Sequence, residues 1–120
     1  MARILTVDDS PVMRQMVQAT LAEAGHEVTQ AANGEEALRM ATSQRFELII
    51  TDINMPLMDG LTLTRNLRQL PAYGAVPLIV LTTEASAEIK RSGREAGATA
   101  WVLKPFSPQK LVETVEQLLN

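Results

Sequence analysis

The stretch ILTVDDSP, Ile4 to Pro11, runs four strand-forming residues straight into two adjacent acids and then into a serine-proline pair. One polar residue is enough to end a strand. Two like charges side by side repel, so Asp8 and Asp9 either stand in water or share a positive partner. Ser10 followed by Pro11 reads as a helix N-cap with proline in the first turn. The stretch is therefore a strand that passes through acids into a helix.

The rest of the chain repeats that unit. Further apolar runs are Glu27 to Ala31, Leu48 to Thr51, Leu78 to Leu81 and Ala100 to Leu103. Five strand-like runs separated by amphipathic segments predict an α/β fold, a five-stranded parallel sheet flanked on both faces by five helices. LIIT and LIVL are almost wholly apolar, which places them in the middle of the sheet; EVTQA alternates, as an edge strand does. Met13, Met16, Val17, Thr20, Leu21 and Ala24 form the first helix's apolar stripe, and Gly25 ends it. Ser107-Pro108 opens a last helix with Leu111, Val115, Leu118 and Leu119. Asn33-Gly34 and Asp59-Gly60 open two more. The fourth, from about Ala85 to Ala96, is the weakest. Ile89 is its only large apolar residue, and Gly93 inside it costs about 1 kcal/mol against alanine.

The 120 residues, 46% of them hydrophobic, suit one domain spanning 1–120 with a core of its own. Met1 at the start and the polar residue after Leu119 lead us to expect a complete protein. There is no cysteine, so a disulfide framework is excluded and a reducing compartment is expected. No signal peptide or membrane span is legible, and the expected location is cytoplasmic. A formal net charge of -3 and few aromatics argue against nucleic-acid binding. His26, just past the first helix, is expected in a surface loop.

The residues that follow the strands carry the chemistry. Asp8 and Asp9 follow the first, Asp52 the third, Thr82 the fourth and Lys104 the fifth. Carboxyl ends of parallel strands lie along one edge, so these groups converge there. With the second strand at one edge the order becomes 2-1-3-4-5. The crevice at which such sheets bind ligands then falls between strands one and three, beside the three acids. Three carboxylates in one cleft repel. A Mg2+ ion with oxygen ligands and retained waters removes the conflict and leaves room for phosphate oxygens. The absence of cysteine and the remoteness of His26 argue against zinc. A carboxylate can attack phosphorus to form an aspartyl phosphate, with metal and lysine neutralising the phosphoryl oxygens.

VDDSP, TDINMPLMDGL, LTTEA and WVLKPF, in that order across nearly the whole chain, resemble the receiver domain of two-component response regulators, most closely the single-domain chemotaxis type. The strand order 2-1-3-4-5, flavodoxin-like, is a known property of that family and so no independent result of the reading. The resemblance implies Asp52 as phosphoacceptor and Asp8, Asp9, Asp52 and the backbone carbonyl of Asn54 as Mg2+ ligands. It implies Thr82 as switch hydroxyl, Lys104 as the phosphate-contacting lysine, and a cis peptide at Lys104-Pro105. Asn54 and Glu84 occupy the positions that tune hydrolysis. Trp101 stands where the family often has a rotating tyrosine or phenylalanine. The implied donor is a histidine kinase; a phosphatase is a further partner. The implied output is a protein-binding surface on helix four, strand five and helix five.

Other classes fit less well. An aspartyl phosphatase enzyme wants a second acid two residues after the nucleophile, where this chain has Asn54. A flavin or nucleotide module wants a Gly-rich loop after strand one, where this chain has DDSPVM. A pure interaction domain has no need of the intact acid, threonine and lysine set. A receiver in a non-chemotaxis phosphorelay, or a phosphate sink, is the alternative within the family.

Overall fold

The computed structural model describes residues 1–120. Its strands are β1 Arg3–Val7, β2 Glu27–Ala31, β3 Leu48–Thr51, β4 Leu78–Thr82 and β5 Ala100–Leu103. Its helices are α1 Pro11–Glu23, α2 Gly34–Ser43, α3 Gly60–Arg68, α4 Ala87–Ala96 and α5 Pro108–Leu119, with a short 3-10 turn at Pro71–Tyr73. All strand pairs are parallel and the order is β2-β1-β3-β4-β5.

Strand alternation divides the core into two layers. Leu5, Val7, Ile49, Leu78 and Val80 face one side, with Ala37, Leu63 and Leu67 of α2 and α3. Ile4, Leu48, Ile50, Ile79 and Leu81 face the other, with Val17, Leu21, Leu111 and Val115 of α1 and α5. Both faces of β3 and β4 are covered, which is why their sequences are almost wholly apolar.

Every helix begins on a side-chain cap. Ser10, Asn33, Asp59, Ser86 and Ser107 accept the backbone N–H of Met13, Glu36, Thr62, Ile89 and Lys110. Each such cap contributes about 1 kcal/mol. Because Ser86 is the cap, α4 starts at Ala87, two residues later than its sequence suggests.

Three further expectations need correction. Met16 is 49% exposed, since α1 turns only Val17 and Leu21 fully into the core, and Met16 lies about 100° round the helix from Val17. His26 is buried rather than in a surface loop. Gly25, at φ 95°, reverses the chain so that the His26 ring falls against the start of β1. There Nδ1 accepts the Ala2 N–H at 3.1 Å. Gly93 is no loose point in α4. It is buried, and a Cβ there would stand 2.3 Å from Trp101 Cζ3. The absence of a side chain is what lets the indole lie against the helix.

The far end of α4 is held by Arg68. Its guanidinium donates to the carbonyls of Gly97, Tyr73 and Val76 and to the Thr99 hydroxyl. One side chain thus joins the end of α3, the 3-10 turn and the left-handed cap of α4. Arg68→Met, which keeps the stem and removes the donors, is expected to cost about 2–4 kcal/mol of unfolding free energy. Urea denaturation measures it, and an unchanged midpoint would refute the role.

Candidate functional site

The carboxyl edge of the sheet brings the strand-end residues together as the spacing requires. Asp8 extends β1 and is 3% exposed. Its Oδ1 accepts the Ser10 N–H at 3.0 Å, so the acid also shapes the turn into α1. Asp52 follows β3, and its Oδ1 accepts the Ile53 N–H at 2.7 Å. Lys104, at the end of β5, crosses the edge and bridges the two acids. Its Nζ lies 2.8 Å from Asp8 Oδ2 and 2.8 Å from Asp52 Oδ2. Asp9 is exposed beside them. One carboxylate oxygen of each of Asp8, Asp9 and Asp52 lies within 4.8 Å of the others.

The electrostatics follow from that geometry. Burial alone lowers the Lys104 pKa, but the hydrogen bonds and charges of Asp52 and Asp8 together outweigh it, and the net shift is upward. Three carboxylates and one ammonium leave the cluster two charges negative. A dication would balance it. The donor set is entirely carboxylate oxygen, with no sulfur or imidazole among the three. His26 is at the opposite, amino-terminal edge, just ahead of β2. These donors fit a hard cation such as Mg2+ rather than zinc.

The neighbouring loops complete the site. Thr82 is buried at the end of β4, and its hydroxyl accepts the Glu84 N–H over a long 3.4 Å. Asn54 Nδ2 donates to Glu84 Oε1 at 3.2 Å, joining the loops after β3 and β4. Trp101 Nε1 donates to the Glu84 backbone carbonyl at 2.9 Å. The Lys104-Pro105 peptide is cis, as expected.

Two contributors escaped the sequence reading. Arg14, on the first turn of α1, donates to the Asp8 carbonyl at 2.6 Å. A cation placed just after an acidic strand end was the available signal. Gly60 opens α3 directly beneath Asp52, and a Cβ there would stand 1.8 Å from the Asp52 carbonyl oxygen. Only the Asp-Gly pair hinted at it, and that pair signals a turn, not a close approach. A surface cavity of about 490 Å3 lies between α1 and α5, lined by residues such as Ala19, Glu23, Val112 and Glu113, and takes no part in the acidic cluster.

Residues 4–116 match the family model of the response regulator receiver domain. The chain belongs to that family. Its likeness to chemotaxis proteins of the CheY type extends over nearly its whole length. It is 38% identical to a chemotaxis protein CheY homolog of Campylobacter jejuni, covering 98% of this chain and 92% of that protein. It is 47% identical to the chemotaxis protein CheY4 of Vibrio cholerae, whose structure superposes with a TM-score of 0.96 over 99% of both chains. CheY is itself a standard example of the 2-1-3-4-5 strand order. The receiver domain of a sensor histidine kinase from Pseudomonas aeruginosa, solved with magnesium coordinated in its active-site cleft, is 32% identical with a TM-score of 0.92, over 98% of this chain and 97% of that one. The module also occurs inside larger proteins. The chain is 39% identical to a gliding motility regulatory protein of Myxococcus xanthus but spans only 15% of its length.

This is a CheY-like receiver domain of two-component signalling. Such domains are phosphoacceptor signalling proteins rather than classical enzymes, and they bind Mg2+ at an acidic pocket. No helix of the chain is long and apolar enough to cross a membrane.

The raised Lys104 pKa fixes the sign of an alkaline effect. The ion pairs are fully present below the ordinary lysine value of 10.5 and disappear as pH rises through the higher folded-state value. Stability should therefore fall more steeply above the ordinary lysine value of 10.5 in the parent than in Lys104→Met. Unfolding curves taken across that range read the difference, and parallel pH profiles would contradict it.

Proposed function

We propose that residues 1–120 form one receiver that takes a phosphoryl group from a histidine kinase onto Asp52, with Mg2+ bound, and so changes a protein-binding face in a cytoplasmic chemotaxis pathway. The observation that carries this reading is the Lys104 ammonium held 2.8 Å from both Asp8 and Asp52. It places a fixed positive charge at an otherwise over-acidic acceptor.

In the transfer an Asp52 carboxylate oxygen attacks the phosphorus of the phosphohistidine. The P–N bond breaks and its electron pair stays with the imidazole. Lys104 and the aligned carboxylates hold the acceptor in place, so positioning and charge do most of the catalysis. Asp8, Asp9, Asp52 and the Asn54 carbonyl would hold Mg2+, which would neutralise phosphoryl charge there. The product brings acceptor oxygens that the free carboxylate lacks. Lys104 turns to them, and so does the Thr82 hydroxyl, whose present bond to Glu84 N–H is long. Differential contacts of this kind are what shifts a conformational equilibrium. The loop after β4 carries the change to α4, β5 and α5, where the target protein binds.

Asn54 and Glu84 flank the acceptor and set how quickly it is cleared, by water alone or with a phosphatase. Incubation with acetyl phosphate and Mg2+ should add the mass of one phosphoryl group, and Asp52→Asn should abolish the gain. An unmodified parent, or a modified Asp52→Asn, refutes the assignment. Asn54→Arg and Glu84→Lys should each slow the loss of that group at least severalfold, by obstructing water with bulk and charge; decay at the parental rate would dismiss the tuning role.

A further inference from the structure

We propose that Trp101 is a positioning residue for hydrolysis of the phosphoryl group, acting through Glu84 and Asn54, and that Gly93 supplies the seat that lets it do so. The inference rests on Asp52 carrying phosphate, as proposed above, and deepens that reading by assigning its regulation to a residue outside the acidic cluster.

Trp101 lies on β5, outside the cluster of Asp8, Asp9 and Asp52. Its indole N–H donates to the Glu84 backbone carbonyl at 2.9 Å. The Glu84 carboxylate accepts from Asn54 Nδ2 at 3.2 Å. Asn54 is two residues beyond Asp52. The three residues come from three segments and form a strap from β5 to the loop after β3, along the flank of the acceptor. The two links differ in strength. An Asn–Glu hydrogen bond at the surface exchanges freely with water and holds little by itself. The Trp101 link is made to backbone, so it fixes where residue 84 stands whatever its side chain does.

That anchor needs space. The indole is larger than a phenol or phenyl ring, and it lies against α4 where residue 93 has no side chain. A Cβ at that position would stand 2.3 Å from Cζ3, 3.2 Å from Cη2 and 3.3 Å from Cε3. Glycine is disfavoured in the middle of a helix. The packed ring is the local reason it is accommodated here.

Hydrolysis requires a water oxygen to attack phosphorus as the bond to the Asp52 oxygen breaks. The bond's electron pair returns to the carboxylate, and the water proton leaves to solvent or to the departing inorganic phosphate. The water must enter at the exposed rim, where the exposed Asn54 and half-buried Glu84 stand. A strap held in place restricts that entry; a released strap admits it. Weakening the Trp101 anchor therefore shortens the lifetime of the phosphoryl group.

The test uses the full chain, phosphorylated with acetyl phosphate and Mg2+, freed of donor and followed by intact mass. Trp101→Phe keeps a ring and removes the N–H, while Gly93→Ala keeps the indole and fills its seat. Each is expected to speed decay about fivefold, the scale of one lost hydrogen bond. In a Glu84→Ala background neither should add a further change, because the strap is already cut. Trp101 is the only tryptophan, so fluorescence gives a readout free of phosphate: Gly93→Ala should shift its emission to the red and increase quenching by acrylamide. Parental decay in both variants, effects that multiply with Glu84→Ala, or an unshifted Gly93→Ala spectrum each overturn the proposal. If Gly93→Ala fails to fold, Trp101→Phe alone decides it through decay and its coupling to Glu84→Ala. A parent chain that takes no phosphate overturns the assignment of Asp52 and this inference together.

Discussion

The structure turns on one ammonium group between two carboxylates. Lys104 is 96 residues from Asp8 and 52 from Asp52, yet it touches both at 2.8 Å. The contact exists only if β1, β3 and β5 end on the same edge and in the right order. All three side chains are largely withdrawn from water, at 12%, 4% and 13% exposure. Removing one partner from such a group strands the others in a medium of low dielectric. The lysine does not complete the balance, since Asp9 adds a third acid. The folded chain therefore holds a net deficit of positive charge at one point, stable enough to form and unsatisfied enough to want a cation.

The surroundings of that cluster explain why it keeps its shape. Asp8 is tied through both its carboxylate and its carbonyl, the first to Ser10 N–H and the second to Arg14. Gly60 lets α3 start against the Asp52 backbone, and its N–H donates to the Ile53 carbonyl at 2.8 Å. These contacts fix the strand ends more firmly than pairing within the sheet alone would. The β4–α4 connection is different. Thr83, Ala85 and Ser86 are exposed, and the bond from Glu84 N–H to Thr82 is long. Motion is cheapest where buried contacts are few.

The strands were legible because sheet burial writes itself into continuous or alternating apolar runs, and the caps because Ser, Asn and Asp at helix starts are chemically distinctive. The convergence of Asp8, Asp9, Asp52 and Lys104 was legible for a topological reason: parallel strands put every carboxyl end on one side. Other features depend on which distant residue happens to arrive alongside. His26 reads as surface until Gly25 turns it under β1. Arg68 looks like one more cation on a polar helix until Gly97, Tyr73 and Val76 present their carbonyls to it. Gly93 reads as a defect by propensity, since no periodicity within α4 reveals that Trp101 fills the space beside it.

That last pair bears on which part of the molecule can move. A residue acts as a switch only when its contacts differ between two states. Trp101 can donate a single hydrogen bond, and it donates it to the Glu84 carbonyl. Swinging outward would give up that partner and empty the groove that Gly93 leaves in α4. A tyrosine in the same place has a hydroxyl that both donates and accepts and a ring too small to fill the groove, so its two positions are more nearly balanced. The α4 helix is pinned as well, by Arg68 at its end and the indole at its middle. The segment between Thr82 and Ser86, most of it exposed, is the least firmly held of the connections around the helix and the ring.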